Sequence, residues 1–265
     1  MTSPPAPAVR LTGVVFAYPD GTSALDGVDL VVAAGERVAV LGPNGSGKTT
    51  LVLHLNGILA ASAGTVEIGG LRVGGDRETL AEVRRRVGIV FQDPDDQLFM
   101  PTVRRDVAFG PANLGLEGGE LDARVDAALA AVGMAAHADR APHRLSLGER
   151  RRAALATVLS MDPSVLVLDE PSANLDPAAR RQFADLVEAL GRTTVVVTHN
   201  LLYAAELCER AVILDAGRIV ADGPTVELLV DADLLAAHGL ELPRGIALVE
   251  PVTGPRRREG TGPNR

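Results

Sequence analysis

Gly42-Pro43-Asn44-Gly45-Ser46-Gly47-Lys48-Thr49 is the stretch on which the fold turns. It fits the eight-position pattern in which four variable residues stand between a glycine and Gly-Lys-Thr. The context on either side agrees with it. Glu36–Leu41 reads as a buried strand, and Lys48–Leu59 carries its apolar residues at helical spacing. Strand, glycine-rich loop and helix in that order make a phosphate cradle. The glycines allow positive φ angles, so that backbone N–H groups point inward at the positive end of the helix. A triphosphate held there places Lys48 at its β- and γ-phosphates and the Thr49 hydroxyl on Mg²⁺, with Thr50 in the same binding segment. A glycine-rich turn without a ligand is the plain alternative, and the flanking elements speak against it.

Val165-Leu166-Val167-Leu168-Asp169-Glu170 is an apolar strand that ends in two acids. In isolation such an end is more often a helix cap or a solvated turn. With a phosphate loop upstream, the two carboxylates fall at the sheet edge where a nucleotide lies. Asp169 is then the magnesium ligand, and Glu170 is the general base that polarises an attacking water. The implied ligands are a nucleoside triphosphate and Mg²⁺.

Composition narrows the setting. The chain has 265 residues, 46% of them hydrophobic, which is enough for one full domain with a core and a small appendage. A formal charge of −8 disfavours a surface built for phosphate backbones, so nucleic acid is not expected as a partner. One cysteine, Cys208, cannot form an internal disulfide and suits a reducing compartment. No run of about 18 apolar residues occurs, and the proline-rich start lacks the pattern of a secretory signal. If the protein works at a membrane, other chains must cross it.

Outward from the loop, Leu11–Tyr18 and Val28–Val32 read as antiparallel strands around the turn-forming Pro19-Asp20-Gly21. The segment from Val103 to Met161 reads as a helical insert, clearest at Leu121–Val132 and Glu149–Met161. Strands at Val165–Leu168, Thr194–Thr198 and Ala211–Leu214 alternate with helices at Pro177–Leu190 and Leu201–Leu207, which predicts a parallel sheet with crossover helices. The division expected is a disordered tail over 1–8, a nucleotide-binding domain over 9–230 with a helical subdomain near 100–162, a helical extension over 231–250, and a disordered arginine-bearing tail over 251–265.

Four further elements make the chain resemble the ATP-binding-cassette ATPases. Leu145-Ser146-Leu147-Gly148-Glu149 is similar to the family signature, with Leu147 where a second glycine is usual and Glu149 where glutamine is usual. Gln92, after the strand Val87–Phe91, matches the glutamine that senses magnesium and the γ-phosphate. Ser172-Ala173-Asn174-Leu175-Asp176 matches the loop that crosses a dimer interface, and His199 matches the switch histidine. Tyr18 further matches the aromatic that stacks on adenine. Taken singly, a Tyr or His is more often a packed structural residue, and Ser-x-Gly before a helix is usually an N-cap. The other histidines, at 54, 137, 143 and 238, show no ligand spacing and read as structural.

The resemblance spans residues 10 to 225. It implies an α/β phosphate-loop NTPase fold with a RecA-like parallel-sheet core, an antiparallel β-layer and an α-helical signature subdomain. It also implies a homodimer that sandwiches ATP, in which Ser146, Gly148 and Glu149 of one copy meet the γ-phosphate bound by the other.

Phe91 to Phe99, continuing through Pro101-Thr102-Val103 to Asp106–Pro111, is similar to the energy-coupling-factor importers. That resemblance implies a transmembrane coupling subunit, a small membrane-embedded capture subunit and a peripheral place on the cytoplasmic face of the membrane. The plain alternative is an acidic surface loop with Leu98 and Phe99 buried. The run Ala156–Pro163 and the ending His238-Gly239-Leu240-Glu241-Leu242-Pro243 are most similar to the cobalt and nickel branch, a vitamin importer being the alternative. A DNA-repair or chromosome-organising ATPase would need long heptad-patterned arms, and a ribosome-associated one normally has two phosphate loops. The chain has neither.

Overall fold

A computed structural model describes residues 6–242. The expected tail at 251–265 lies outside these residues, as do most of 1–8 and the last part of the 231–250 extension.

Two sheets organise the chain. β1 (Val9–Ala17), β2 (Ser23–Val32), β4 (Ala63–Ile68) and β5 (Leu71–Arg72) form an antiparallel layer in the order β2-β1-β4-β5. The second sheet uses β3 (Arg37–Leu41), β6 (Val87–Val90), β7 (Val165–Asp169), β8 (Thr193–Val197), β9 (Arg210–Asp215) and β10 (Arg218–Pro224). Its order is β10-β9-β3-β8-β7-β6, parallel except for the antiparallel edge strand β10. The inner strands are buried on both faces, which is why β7 and β8 are apolar along most of their length rather than alternating.

Side chains of one strand divide between two cores because successive residues point to opposite faces. Val38, Val40, Val165 and Val167 join the antiparallel layer and α1 (Lys48–Leu55) in one cluster. Ala39, Leu41, Leu166 and Leu168 join the helical side in the other. On that side lie α3 (Val103–Asn113), α4 (Gly118–Ala131) and α5 (Leu147–Leu159), the expected helical insert. They are followed by α6 (Pro177–Ala189), α7 (Leu201–Leu207), α8 (Thr225–Val230) and α9 (Ala232–Ala237), while α2 (Arg77–Arg86) leads into β6.

Two expectations are corrected in detail. The helix after the phosphate loop stops at Leu55 rather than Leu59, because Asn56 caps it and the chain turns at Gly57 with φ 68°. The plain alternative for residues 91–99 buries both Leu98 and Phe99. Leu98 is buried, but Phe99 is 62% exposed and stacks edge-on against Phe109 with ring centroids 5.0 Å apart.

Candidate nucleotide site

Strand order places the chemistry. The strands β3, β8, β7 and β6 are consecutive neighbours, so the segments leaving their C-terminal ends line one edge of the sheet. These are the phosphate loop, Thr198-His199, Asp169-Glu170 and Gln92 in turn. Parallel sheets bind ligands at that edge.

The loop is built around glycine. Gly42, Gly45 and Gly47 have φ of 152°, 81° and 104°, a region L side chains rarely enter. Two of them are also crowded. A methyl group at Gly42 would stand 2.1 Å from the Leu214 carbonyl oxygen, and one at Gly47 would stand 2.3 Å from that of Ala24. Gly42→Ala is therefore expected to destabilise the fold by about 2–3 kcal/mol through overpacking against backbone, and thermal denaturation beside wild type checks it. The Ser46 hydroxyl is buried and has no protein partner, as suits a group left for a ligand. Lys48 is buried, and its Nζ donates to the carbonyls of Gly42 at 2.7 Å and Pro43 at 2.8 Å. Burial lowers its pKa, opposed by the negative charges of Glu170 and Asp169.

Pro43, Asn44, Gly45 and Thr49 lie on the accessible side of the loop, whereas Thr50 is buried. The Thr50 hydroxyl bonds the Tyr18 hydroxyl at 2.9 Å. Tyr18, partly exposed, is thereby tied to the helix that follows the loop, and Phe16 packs edge-on against its ring at 5.1 Å.

Glu170 is held on every side. It sits in left-handed conformation at φ 45°, a strain that persists only when neighbours impose it. Its Oε1 accepts from the His199 backbone N–H at 2.9 Å and from His199 Nδ1 at 2.7 Å, and its Oε2 accepts from Thr198 Oγ1 at 3.0 Å. Asp169 beside it is buried, and its pKa is pushed up to about 6 by burial and then by the charge of Glu170, while Lys48 pulls it down. Two adjoining carboxylates with so little water favour a cation between them and the phosphates.

Gln92 is exposed at the end of β6. Among the described residues no cluster of three His, Cys, Asp or Glu could hold a metal. The oxygens of Thr49 and Asp169 at this sheet edge are a donor set that would suit Mg²⁺, which takes one or two protein oxygens and completes its shell with phosphate and water.

Arg151 was not legible as a site residue. It is 2% exposed, and its Nη1 donates to the Glu170 carbonyl at 2.9 Å while Nη2 donates to the Gln92 carbonyl at 3.0 Å. One guanidinium thus joins α5, the Gln92 segment and the strained Glu170. The signal was present: Arg151 falls on the same helical face as the buried Ala154, Leu155 and Val158, although it stands in a run of three arginines that reads as a charged surface.

Ser146, Gly148 and Glu149 open α5, away from the glycine loop in the chain. Ser146 is the N-cap, its Oγ accepting from the Glu149 N–H at 3.3 Å, while the Glu149 carboxylate accepts from the Ser146 N–H at 2.7 Å. This reciprocal pair is a capping box. His137 Nε2 stands 3.4 Å from Glu149, and the carboxyl is held below its ordinary pKa first by the Ser146 N–H. A cleft of about 240 Å³ opens in front of this helix start, with Asn174 and Asp176 on its other wall.

Residues 25–173 match the ABC transporter family. A Streptomyces coelicolor protein provisionally named an ABC transporter ATP-binding protein is 65% identical over 243 residues, covering 91% of this chain and 93% of its own. The energy-coupling factor transporter ATP-binding protein EcfA of Carboxydothermus hydrogenoformans is 46% identical over 250 residues, 93% of this chain and 92% of its own. Among solved structures, cbiO1 of Clostridium perfringens, part of the cbiONQ transporter complex, superposes with a TM-score of 0.79 at 36% identity, covering 90% of this chain and 97% of that one.

The chain belongs to the ABC transporter ATPases and carries their ATP-binding, ATP-hydrolysing domain. Within them it is an ATPase subunit of the energy-coupling-factor type. No described helix is long and apolar enough to cross a membrane.

Proposed function

We propose that this chain powers the uptake of cobalt or nickel ions. It would do so as a homodimer on the cytoplasmic face of the membrane, bound to a transmembrane coupling subunit that works with a separate metal-capture subunit. The observation that carries the ATPase reading is the Glu170 carboxylate, fixed by Thr198 and His199 at the end of β8, the strand that lies between it and the Lys48 loop. The likeness to cbiO1 and the ending His238–Pro243 support the metal branch.

In this reading the backbone N–H groups of residues 44–47 and Lys48 bind the β- and γ-phosphates, and Tyr18 lies against the adenine. Thr49, Asp169 and Gln92 are the residues that would hold Mg²⁺, which when bound neutralises phosphate charge. Glu170 orients and deprotonates water, and His199 keeps that carboxylate aimed. The start of α5, with Ser146, Gly148 and Glu149, meets the γ-phosphate held by a second copy, so nucleotide completes the dimer and hydrolysis releases it.

Uptake of cobalt, nickel and a vitamin by cells carrying wild type or Lys48→Ala tests the cargo. Loss of cobalt or nickel uptake alone is expected. Unchanged metal uptake with loss of the vitamin would replace the metal reading.

A further inference from the structure

The turn after β9 is the back wall of the phosphate loop. The Leu214 carbonyl occupies the space beside Gly42, and the Gly217 N–H donates to the Ser46 carbonyl at 3.0 Å. Ala216 and Gly217, at φ 46° and 77°, are the two central residues of the β9–β10 hairpin, a turn that calls for positive φ at both. Asp215, the residue before them, ties this turn to the C-terminal extension. Its Oδ2 accepts from His238 Nδ1 at 2.8 Å, with His238 only 22% exposed.

His238 stands just past α9, in the C-terminal extension. The next residue, Gly239, runs alongside the loop itself, since a methyl there would meet the Pro43 ring at 3.9 Å. Leu240 then anchors the segment, buried in the helical-side core with its N–H donated to the Leu235 carbonyl at 2.8 Å. Residues 238–240 therefore form a strap that bonds the turn behind the loop, at Asp215, and passes beside the loop at Pro43. A displacement of α9 reaches the phosphate loop through the Asp215 bond.

We propose that this strap is a positioning element for ATP: His238, acting through Asp215 and the 214–217 turn, holds the phosphate loop in its binding form, so that the C-terminal extension sets nucleotide affinity. The proposal rests on residues 42–49 being the ATP site. His238 does not touch the nucleotide, and its removal should weaken binding more than turnover.

The test is fluorescence titration of the purified chain with a methylanthraniloyl derivative of ATP, together with steady-state hydrolysis. His238→Leu should raise Kd and KM for ATP about five- to tenfold, the effect of one partly exposed hydrogen bond, with kcat altered less than about twofold. His238→Asn, which keeps an N–H where Nδ1 stands, should remain within about twofold of wild type. His238→Leu combined with Asp215→Ala should bind no worse than Asp215→Ala alone, because both remove the same contact.

Binding by His238→Leu within about twofold of wild type, or additive losses in the double variant, would overturn the strap. If His238→Leu does not fold, Asp215→Ala should show the same rise in Kd, and wild-type binding by that variant overturns the strap equally. Lys48→Ala separates the two levels: if it binds ATP like wild type the site reading itself fails, whereas loss of binding there with none in His238→Leu defeats only the strap.

Discussion

Glu170→Gln should lower ATP turnover about a hundred- to ten-thousand-fold, the range for losing a general base, while ATP still binds and the chain accumulates as a dimer. The geometry favours an isosteric replacement. An amide can place its oxygen where Oε1 now accepts from the His199 N–H and Nδ1, and turn its NH₂ toward Thr198 Oγ1. The threonine hydroxyl then switches from donor to acceptor without moving. The strained backbone at φ 45° and its bond from Arg151 are unchanged, so folding should be close to wild type. What disappears is proton acceptance from water. Size-exclusion chromatography with ATP and magnesium, beside a phosphate-release assay, reads both consequences. Turnover above half of wild type would remove Glu170 from the role of base. A variant that stays monomeric with ATP bound would remove the sandwich.

Much of this site can be read in the sequence because its residues lie in contiguous runs. The phosphate loop and the strand ending in Asp169-Glu170 each carry their own context, strand before and helix or turn after, so spacing alone fixes their place. The same applies to the alternation that splits Val38 and Val40 from Ala39 and Leu41, although only the folded sheet tells which face meets which layer. Short elements escaped. β5 has two residues and α8 has six, too few to show a period.

Contacts between distant segments escaped for a different reason. Thr198 bonds Glu170, His238 bonds Asp215, and the Tyr18 hydroxyl bonds Thr50 across 32 residues. Each joins side chains that no local pattern pairs. Glu149 shows the limit from the other side. At the position where the signature resemblance expects glutamine, its carboxylate is engaged by the Ser146 N–H, so the same residue is at once half of its own helix's capping box and the candidate contact to a partner's phosphate.

Arg151→Met carries the second large effect. A buried guanidinium is costly unless its N–H groups find acceptors and opposite charge is near. Here Nη1 and Nη2 donate to the backbone carbonyls of Glu170 and Gln92 while Nε has no partner, and burial draws the pKa down against the negative charges of Asp93 and Glu170. Methionine fills much of the volume but gives neither carbonyl a donor. The loss expected is about 3–5 kcal/mol of stability, from two hydrogen bonds to a charged group at about 1.5–3 kcal/mol each. A fall of about tenfold in kcat should accompany it, because Glu170 is then free to leave its left-handed conformation and carry its carboxylate off line.

Arg151→Lys separates the two effects. An ammonium keeps the charge but lacks the planar fork that spans two carbonyls at once, so stability should recover in part while kcat stays low. KM for ATP should change little in either variant, since neither touches the phosphate loop. Thermal denaturation and initial-rate kinetics measure these quantities. Wild-type kcat in a folded Arg151→Met protein would mean that Glu170 keeps its aim through His199 and Thr198 alone.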